Sequence, residues 1–400
     1  MVRLTLPVLE QKRRRVSLFL PTLSLVFALV GSLRLWSSEN TIVWKATILT
    51  SEFGQWLALI PLALAALILG RLLSRTELRR RRELLAAAAG FIVSFGLFIA
   101  PAAEFASQTS TWSKQLEDAF GNAQKPAAAI GLASLFLGGP RVEAVAPQEL
   151  TFKTDDDQDL KLLFYPARGT AHAPWLVVVH GGGWDSGDRY QLPELNSVLA
   201  THGVSVVSVD YRLAPAYTWP APRDDVRHAV DFIKENAASL GVDANRWAIL
   251  GRSAGGQIAE AVAYQSADPT LKGCIALYAP SDLLFAYQFG REDDILSSRS
   301  LLREYLGGDP EKKAAAYADA SPLNFVSPSA PPTLLFHGPR DPLVWSRHSE
   351  RLIAKLKENN VRSALIEIPW ATHAFDYSLS GPGGQLSTVA IEYFLKAVFQ

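Results

Sequence analysis

Gly251-Arg252-Ser253-Ala254-Gly255 follows the apolar run Arg246-Trp247-Ala248-Ile249-Leu250 and precedes the helix-forming stretch Gly256-Gln257-Ile258-Ala259-Glu260-Ala261-Val262-Ala263. A Gly-x-Ser-x-Gly pentapeptide between a strand and a helix makes a turn so tight that the residues flanking the serine must lack bulk. Such a turn exposes the serine hydroxyl and aims the N-terminus of the next helix at whatever reacts there. Alone the pentapeptide is ambiguous, because glycine-rich strand-to-helix turns also cradle phosphates or merely reverse the chain.

Three further segments narrow the reading. Upstream, Trp175-Leu176-Val177-Val178-Val179 is a β-branched run that breaks into His180-Gly181-Gly182-Gly183-Trp184. Backbone N–H groups without side-chain cover can converge there on a developing oxyanion. Downstream, Thr333-Leu334-Leu335-Phe336-His337-Gly338 reads as a buried strand, with Asp341 in the loop Pro339-Arg340-Asp341-Pro342. The strand-like Ser363-Ala364-Leu365-Ile366-Glu367-Ile368 is followed by the loop bearing His373. Serine, acid and histidine therefore follow one another in the chain, each just past the C-terminal end of an expected strand.

Competing residues exist. His337, beside Gly338, is a rival base or a hydrogen-bonded structural residue, and Asp282, after the strand-like 273–279, is a rival acid. The pair Asp224-Asp225 reads as charge bias at a helix N-terminus. Trp184 and Trp370 divide between pocket walls and ordinary packing. Cys274, the only cysteine, lies in an apolar strand and reads as a small core residue.

With these residues in place, the chain resembles the α/β-hydrolase superfamily, and within it the hormone-sensitive-lipase-like and acetylesterase or feruloyl-esterase-like carboxylesterases. The resemblance covers residues 146–400. It rests on His180 to Trp184, on Asp210-Tyr211-Arg212-Leu213-Ala214-Pro215, on Gly251 to Gly256, on the Asp341 loop and on His373-Ala374-Phe375. The chain departs from the lipase-like group at Arg252, where an acid is usual, and at Ala216, where Glu or His is common. A free serine hydroxyl is a poor nucleophile at neutral pH, so Ser253 needs His373 as general base and Asp341 to hold the imidazole. The N–H groups of Gly182, Gly183 and Ala254 are the expected oxyanion hole. No metal and no organic cofactor is required.

Fold class follows from the order of the runs. β-rich stretches at 204–209, 247–250, 274–278, 333–336 and 365–368 alternate with helical patterns at 224–238, 346–359 and 386–399. That alternation predicts a mostly parallel sheet with helices on both faces, an α/β-hydrolase fold. Antiparallel strands near 150–153 and 161–165, joined by Asp155-Asp156-Asp157, are expected ahead of it.

The first hundred residues are of another kind. Residues 16–33, 53–70 and 84–103 carry no charge, and each run is long enough to cross a bilayer as a helix. Residues 1–103 hold 13 Lys and Arg against 5 Asp and Glu, an asymmetry hidden by the zero net charge of the whole chain. The basic residues cluster at Lys12-Arg13-Arg14-Arg15 and in the 71–82 loop around Arg79-Arg80-Arg81-Arg82. Because both clusters abut apolar spans, they read as cytoplasmic flanks and not as nucleic-acid contacts. Three crossings then place the remainder of the chain in the periplasm or on the cell exterior. Residues 104–145 are expected to be linker or cap, with 111–120 a helix over the active site. The charge-free 126–140 is too short to span and is expected to be an interfacial or cap helix.

Together these features predict a membrane-anchored serine hydrolase that cleaves carboxylic esters of small or medium acyl groups. Its expected partners are a small-molecule ester and the lipid bilayer, with no nucleic acid and no obligate protein partner. Two alternatives stay open: an amidase, formamidase or peptidase with the same triad, and a non-catalytic membrane binding protein on the same fold.

Overall fold

The computed structural model describes residues 6–73, 81–123, 132–138, 144–266 and 268–400. The chain begins with α1 (Leu6–Ser32), α2 (Thr41–Glu52), α3 (Gly54–Leu57), α4 (Leu59–Leu73), α5 (Arg81–Phe120) and the short α6 (Leu132–Leu137). Eight strands follow: β1 (Gln148–Lys153), β2 (Asp159–Tyr165), β3 (Ala173–Val179), β4 (Ser205–Val209), β5 (Val242–Arg252), β6 (Leu271–Leu277), β7 (Thr333–His337) and β8 (Ser363–Glu367). The helices between and after them are α7 (Pro193–Thr201), α8 (Ala221–Glu235), α9 (Ala237–Leu240), α10 (Ala254–Tyr264), α11 (Leu283–Phe289), α12 (Ser298–Leu306), α13 (Pro310–Asp319), α14 (Arg347–Glu358) and α15 (Pro382–Val398).

The strands form one sheet in the order β1-β2-β4-β3-β5-β6-β7-β8. Only the β1–β2 and β2–β4 pairs are antiparallel, and β3 to β8 run parallel. Central strands covered on both faces should be apolar throughout, as Val177, Val178, Val179, Ile249 and Leu250 are. On one face Val226 and Ala229 of α8 and Ile258 and Val262 of α10 pack over Val177 and Ile249. On the other, Leu195 and Leu199 of α7 and Ile391 and Phe394 of α15 cover Leu176, Val178 and Leu250. Strand order reverses at β3, whose neighbours are β4 on one side and β5 on the other. In an open parallel sheet such a reversal leaves a crevice beyond the carboxyl ends of the two strands. The glycine run after β3 and Ser253 after β5 meet in that crevice.

The N-terminal helices supply three segments, Leu18–Leu35, Gly54–Leu73 and Arg81–Phe120, long and apolar enough to cross a membrane. Helix α5 has 40 residues; at 1.5 Å each it is roughly 60 Å long, about twice a bilayer's apolar core. It runs without a break through the boundary expected at 103–104. Its last turns do not lie over the active site, contrary to the expectation for 111–120. Gln115 Nε2 donates to the Leu365 carbonyl of β8 at 2.8 Å, Trp112 meets Trp370 edge-on and Phe120 meets Phe394 of α15. Among the described residues no strand pairs with the outer edge of β8, and the last turns of α5 cover its flank.

The stretch 34–52, between the first two apolar runs, contains α2, whose N-terminus is capped by Asn40. Trp44 Nε1 donates to the His373 carbonyl at 3.3 Å, Ser51 Oγ to the Trp370 carbonyl at 3.3 Å, and Gly383 N–H to Glu52 Oε2 at 2.8 Å. Burial pushes the Glu52 carboxyl up to about 8. Helix α6 joins the same seam: Gln55 Nε2 donates to the Leu135 carbonyl, and Ser134 Oγ to Gln385 Oε1. With six residues it rises roughly 9 Å, far short of a bilayer. Residues 126–131 and 139–140 of the charge-free segment, and 74–80 of the arginine loop, lie outside the described residues.

Candidate active site

Ser253 sits at φ 53°, ψ −122° between β5 and α10. Few non-glycine residues take a positive φ, and those that do cluster at functional turns. The turn is pinned from β6 by the Ser253 N–H, which donates to the Leu277 carbonyl at 2.9 Å. A side chain at Gly255 would drive into the carbonyls of Val179 and His180. That contact is why strand β3 can lie close enough for its glycine run to reach the serine.

His373 bridges serine and acid. Its Nε2 is 3.0 Å from Ser253 Oγ and its Nδ1 is 2.7 Å from Asp341 Oδ2. A carboxylate only accepts, so Nδ1 carries the proton and Nε2 is left to accept from the serine hydroxyl. Asp341 is itself held: its Oδ1 accepts from the N–H groups of Leu343 and Val344, both at 2.9 Å. Burial alone would raise the Asp341 carboxyl, but His373 and His337 outweigh it and hold the group well below the usual carboxylate range. The acid thus stays charged wherever the imidazolium would form.

The rival residues are occupied elsewhere. His337 is buried, with Nδ1 2.7 Å from Ser349 Oγ and Nε2 2.9 Å from the Val344 carbonyl. It supports Asp341 from behind and does not reach Ser253. Asp282 caps α11 through the Phe285 N–H at 2.9 Å and pairs with Arg351 at 2.8 Å. Asp225 is buried against Arg212, and Asp224 pairs with Arg223. Among the described residues no three His, Cys, Asp or Glu side chains are grouped as a metal site.

Gly182 and Gly183 have φ of 129° and 62°, a conformation only glycine adopts without strain. The turn is clamped by Gln191, which accepts from the Gly181 N–H at 2.8 Å, and by Tyr211, which stacks on the His180 ring and donates to its carbonyl. Gly182, Gly183, Ala254, Ser253 and His373 border one cavity of about 510 Å³. Ala254 opens α10, so its N–H has no partner within the helix. Trp184 walls this cavity, stacked on Tyr305 at 4.4 Å with its Nε1 donating to Gln257. Trp370 is core, edge-on to Trp112, and Cys274 is fully buried in β6.

The BD-FAE family matches residues 162–356. The probable carboxylic ester hydrolase LipM of Mycobacterium tuberculosis is 30% identical over 246 residues, 58% of this chain and 56% of that protein. The esterase LipQ of the same organism is 30% identical over 240 residues, 57% of this chain and 56% of its own. The chain therefore spans about half the length of these curated relatives. Among solved structures, the carboxylesterase EstE1 from a metagenomic library superposes with a TM-score of 0.58 at 22% identity, covering 73% of this chain and 97% of that one. An esterase of Pyrobaculum calidifontis gives 0.56 at 24% identity, covering 72% and 92%. The fold is that of the α/β-hydrolases.

Within the α/β-hydrolase domain the structure adds residues that the sequence reading passed over. Arg252, noted only as a departure, is buried and donates through Nε to Asp376 Oδ2 at 2.5 Å. Tyr278 donates to the other Asp376 oxygen at 2.5 Å, and its ring lies 4.4 Å from that of His373. The acid usual before the serine is thus replaced by a base, and its partner comes from the loop three residues beyond His373. Asp376→Ala would strand a buried guanidinium, and we expect it to lower unfolding free energy by about 3–5 kcal/mol. Chemical denaturation measures this; an unchanged midpoint would mean that the pair does not hold the loop.

Proposed function

We propose that this chain is a membrane-anchored carboxylic-ester hydrolase for esters of small or medium acyl groups, working through Ser253, His373 and Asp341. The observation that carries this reading is the continuous pair of contacts from Asp341 through His373 to Ser253, at 2.7 and 3.0 Å. In the first half-reaction Ser253 Oγ bonds to the acyl carbon while His373 Nε2 takes the hydroxyl proton. The N–H groups of Gly182, Gly183 and Ala254 stabilise the oxyanion, each good donor contributing roughly 3–4 kcal/mol. The bond from acyl carbon to alkoxy oxygen breaks, and the proton passes from His373 to the leaving alcohol. Water then repeats the sequence, releasing the acid and restoring Ser253.

The names of the curated relatives, an ester hydrolase and an esterase, favour ester over amide. The same triad would also serve an amidase or peptidase, because it activates acyl carbons whatever the leaving group. A panel of p-nitrophenyl esters beside the matching anilides tests this. The expected result is ester turnover exceeding anilide turnover by orders of magnitude; the reverse order would make the chain an amidase.

The catalytic domain is proposed to lie outside the cytoplasm, with 12–15 and the 71–82 loop inside. The docking of α2 supports this: a segment between the first and second spans touches His373, Trp370 and Gly383. Both sides of that contact must share one face of the membrane, which an odd number of crossings before the domain satisfies. Alkaline phosphatase fused after Gln400 should be active and fused after Leu73 inactive. Activity of a cytoplasmic reporter at Gln400 would refute the topology.

A further inference from the structure

The cavity over Ser253 does not end at the reacting atoms. A second cavity of about 380 Å³ adjoins it, and Trp184, Leu301, Leu343 and Val344 line both. Beyond this shared wall the second cavity runs between α11 and the loop after Asp341, past Phe285, Phe289 and Trp345. Phe285 stacks on Trp345 at 5.7 Å, and Phe289 meets Trp345 edge-on at 5.5 Å. Although these rings pack together, Phe289 is 61% and Trp345 46% exposed. The two cavities thus share an apolar wall, and the outer one opens at an aromatic mouth that Glu39, Arg291 and Asp294 also line.

That mouth lies against the membrane region. Ser37 and Glu39, between α1 and α2, line the second cavity, and Glu39 approaches Arg291 of its rim at 3.5 Å. Trp44 of α2 lines the first cavity. Trp36 of that connecting segment and Ile42 in the first turn of α2 are 65% and 79% exposed. Tryptophans at the ends of apolar spans favour the level of the lipid headgroups. The segment that leaves the first span thus forms part of the pocket's rim.

We propose that the second cavity receives the apolar chain of an amphiphilic ester drawn from the bilayer. The protein then acts on medium-chain lipid-like esters in preference to small soluble acetates. This rests on the hydrolase and membrane readings above and extends them to a substrate class. Adjacency to the Ser253 cavity argues for the occupant: the ester carbon must sit at the serine, and among the described residues the wall shared by the two cavities leads toward Phe289 and Trp345.

Each buried methylene is worth roughly a fourfold gain in binding. For the full chain in phosphatidylcholine vesicles, p-nitrophenyl octanoate should then exceed the acetate in kcat/KM by at least about tenfold. Phe289→Asp and Trp345→Asp, both at exposed positions, should each lower that octanoate-to-acetate ratio by at least about fivefold. A wild-type ratio at or below one, or a ratio moved by neither variant, would overturn the proposal. A second arm uses a phospholipid with one decanoyl ester chain and one long ether-linked chain that confines it to its vesicle. Turnover is expected when ester and protein share vesicles and not when they are in separate ones, and equal rates would overturn the bilayer route. Failure of the hydrolase reading looks different: no ester is turned over and no fluorophosphonate reaches Ser253.

Discussion

We expect Ser253→Ala to lower ester turnover by roughly 10⁴–10⁶-fold and to leave the fold intact. The size of the loss follows from the geometry. Removing Oγ takes away the atom that bonds to the acyl carbon and the proton that His373 would transfer, so the two-step route is closed. What survives is the background catalysis of the oxyanion donors and of binding. Alanine fits the position, because the turn is made by the flanking glycines and by the Ser253 N–H bond to Leu277, neither of which needs the hydroxyl. Steady-state kinetics with circular dichroism as a folding control measures this. Retention of more than a tenth of the activity would remove Ser253 from the mechanism.

Asp341→Asn is expected to give the second large effect, a loss of about 10³–10⁴ in kcat. The asparagine amide can donate to His373 Nδ1, which moves the imidazole proton to Nε2 and turns the face toward Ser253 from acceptor to donor. The volume is unchanged, so the loss reflects the tautomer and not a cavity. Asp282→Asn should leave turnover within a few-fold, since Asp282 caps α11 and pairs with Arg351 away from the serine. Kinetics of the two variants in the reverse order would transfer the role of acid to Asp282.

The sheet was legible because its strands are unusually plain. β3, β6, β7 and the 247–250 part of β5 are short apolar runs followed by glycine or a loop. The residues bearing chemistry sit at those ends, where a parallel sheet gathers them. Ser253, Asp341 and His373 were candidates by their places after strands, with His337 and Asp282 as rivals, and the structure brings the three side chains within hydrogen-bonding distance. Asp376 and Tyr278 were not candidates. Their hydrogen bond joins residues 98 apart and depends on Tyr278 adopting φ 45° at the end of β6. No pattern of spacing carries that.

The N-terminal region shows the same limit on a larger scale. Its apolar runs were plain, but nothing in Trp44, Ser51 or Glu52 announces a docking helix. Each acts through one bond to a backbone group more than 300 positions away. The 111–120 segment was expected over the pocket because members of the family that the chain resembles often cover the pocket with N-terminal helices, and a boundary was expected after 103. Alanine-rich sequence from 84 onward sustains a single helix instead, and its direction carries 111–120 to β8. Pro101 within that helix does not interrupt it.

Covalent labelling reads directly whether Ser253 is a nucleophile activated by His373. The full-length protein in detergent is treated with a fluorophosphonate, and the adduct is mapped by mass spectrometry. The account predicts a single phosphonyl group on Ser253, absent in Ser253→Ala and formed at least about 100-fold more slowly in His373→Ala, the usual scale of general-base assistance. A chain that takes up no probe, or that carries it on another serine, would contradict the account.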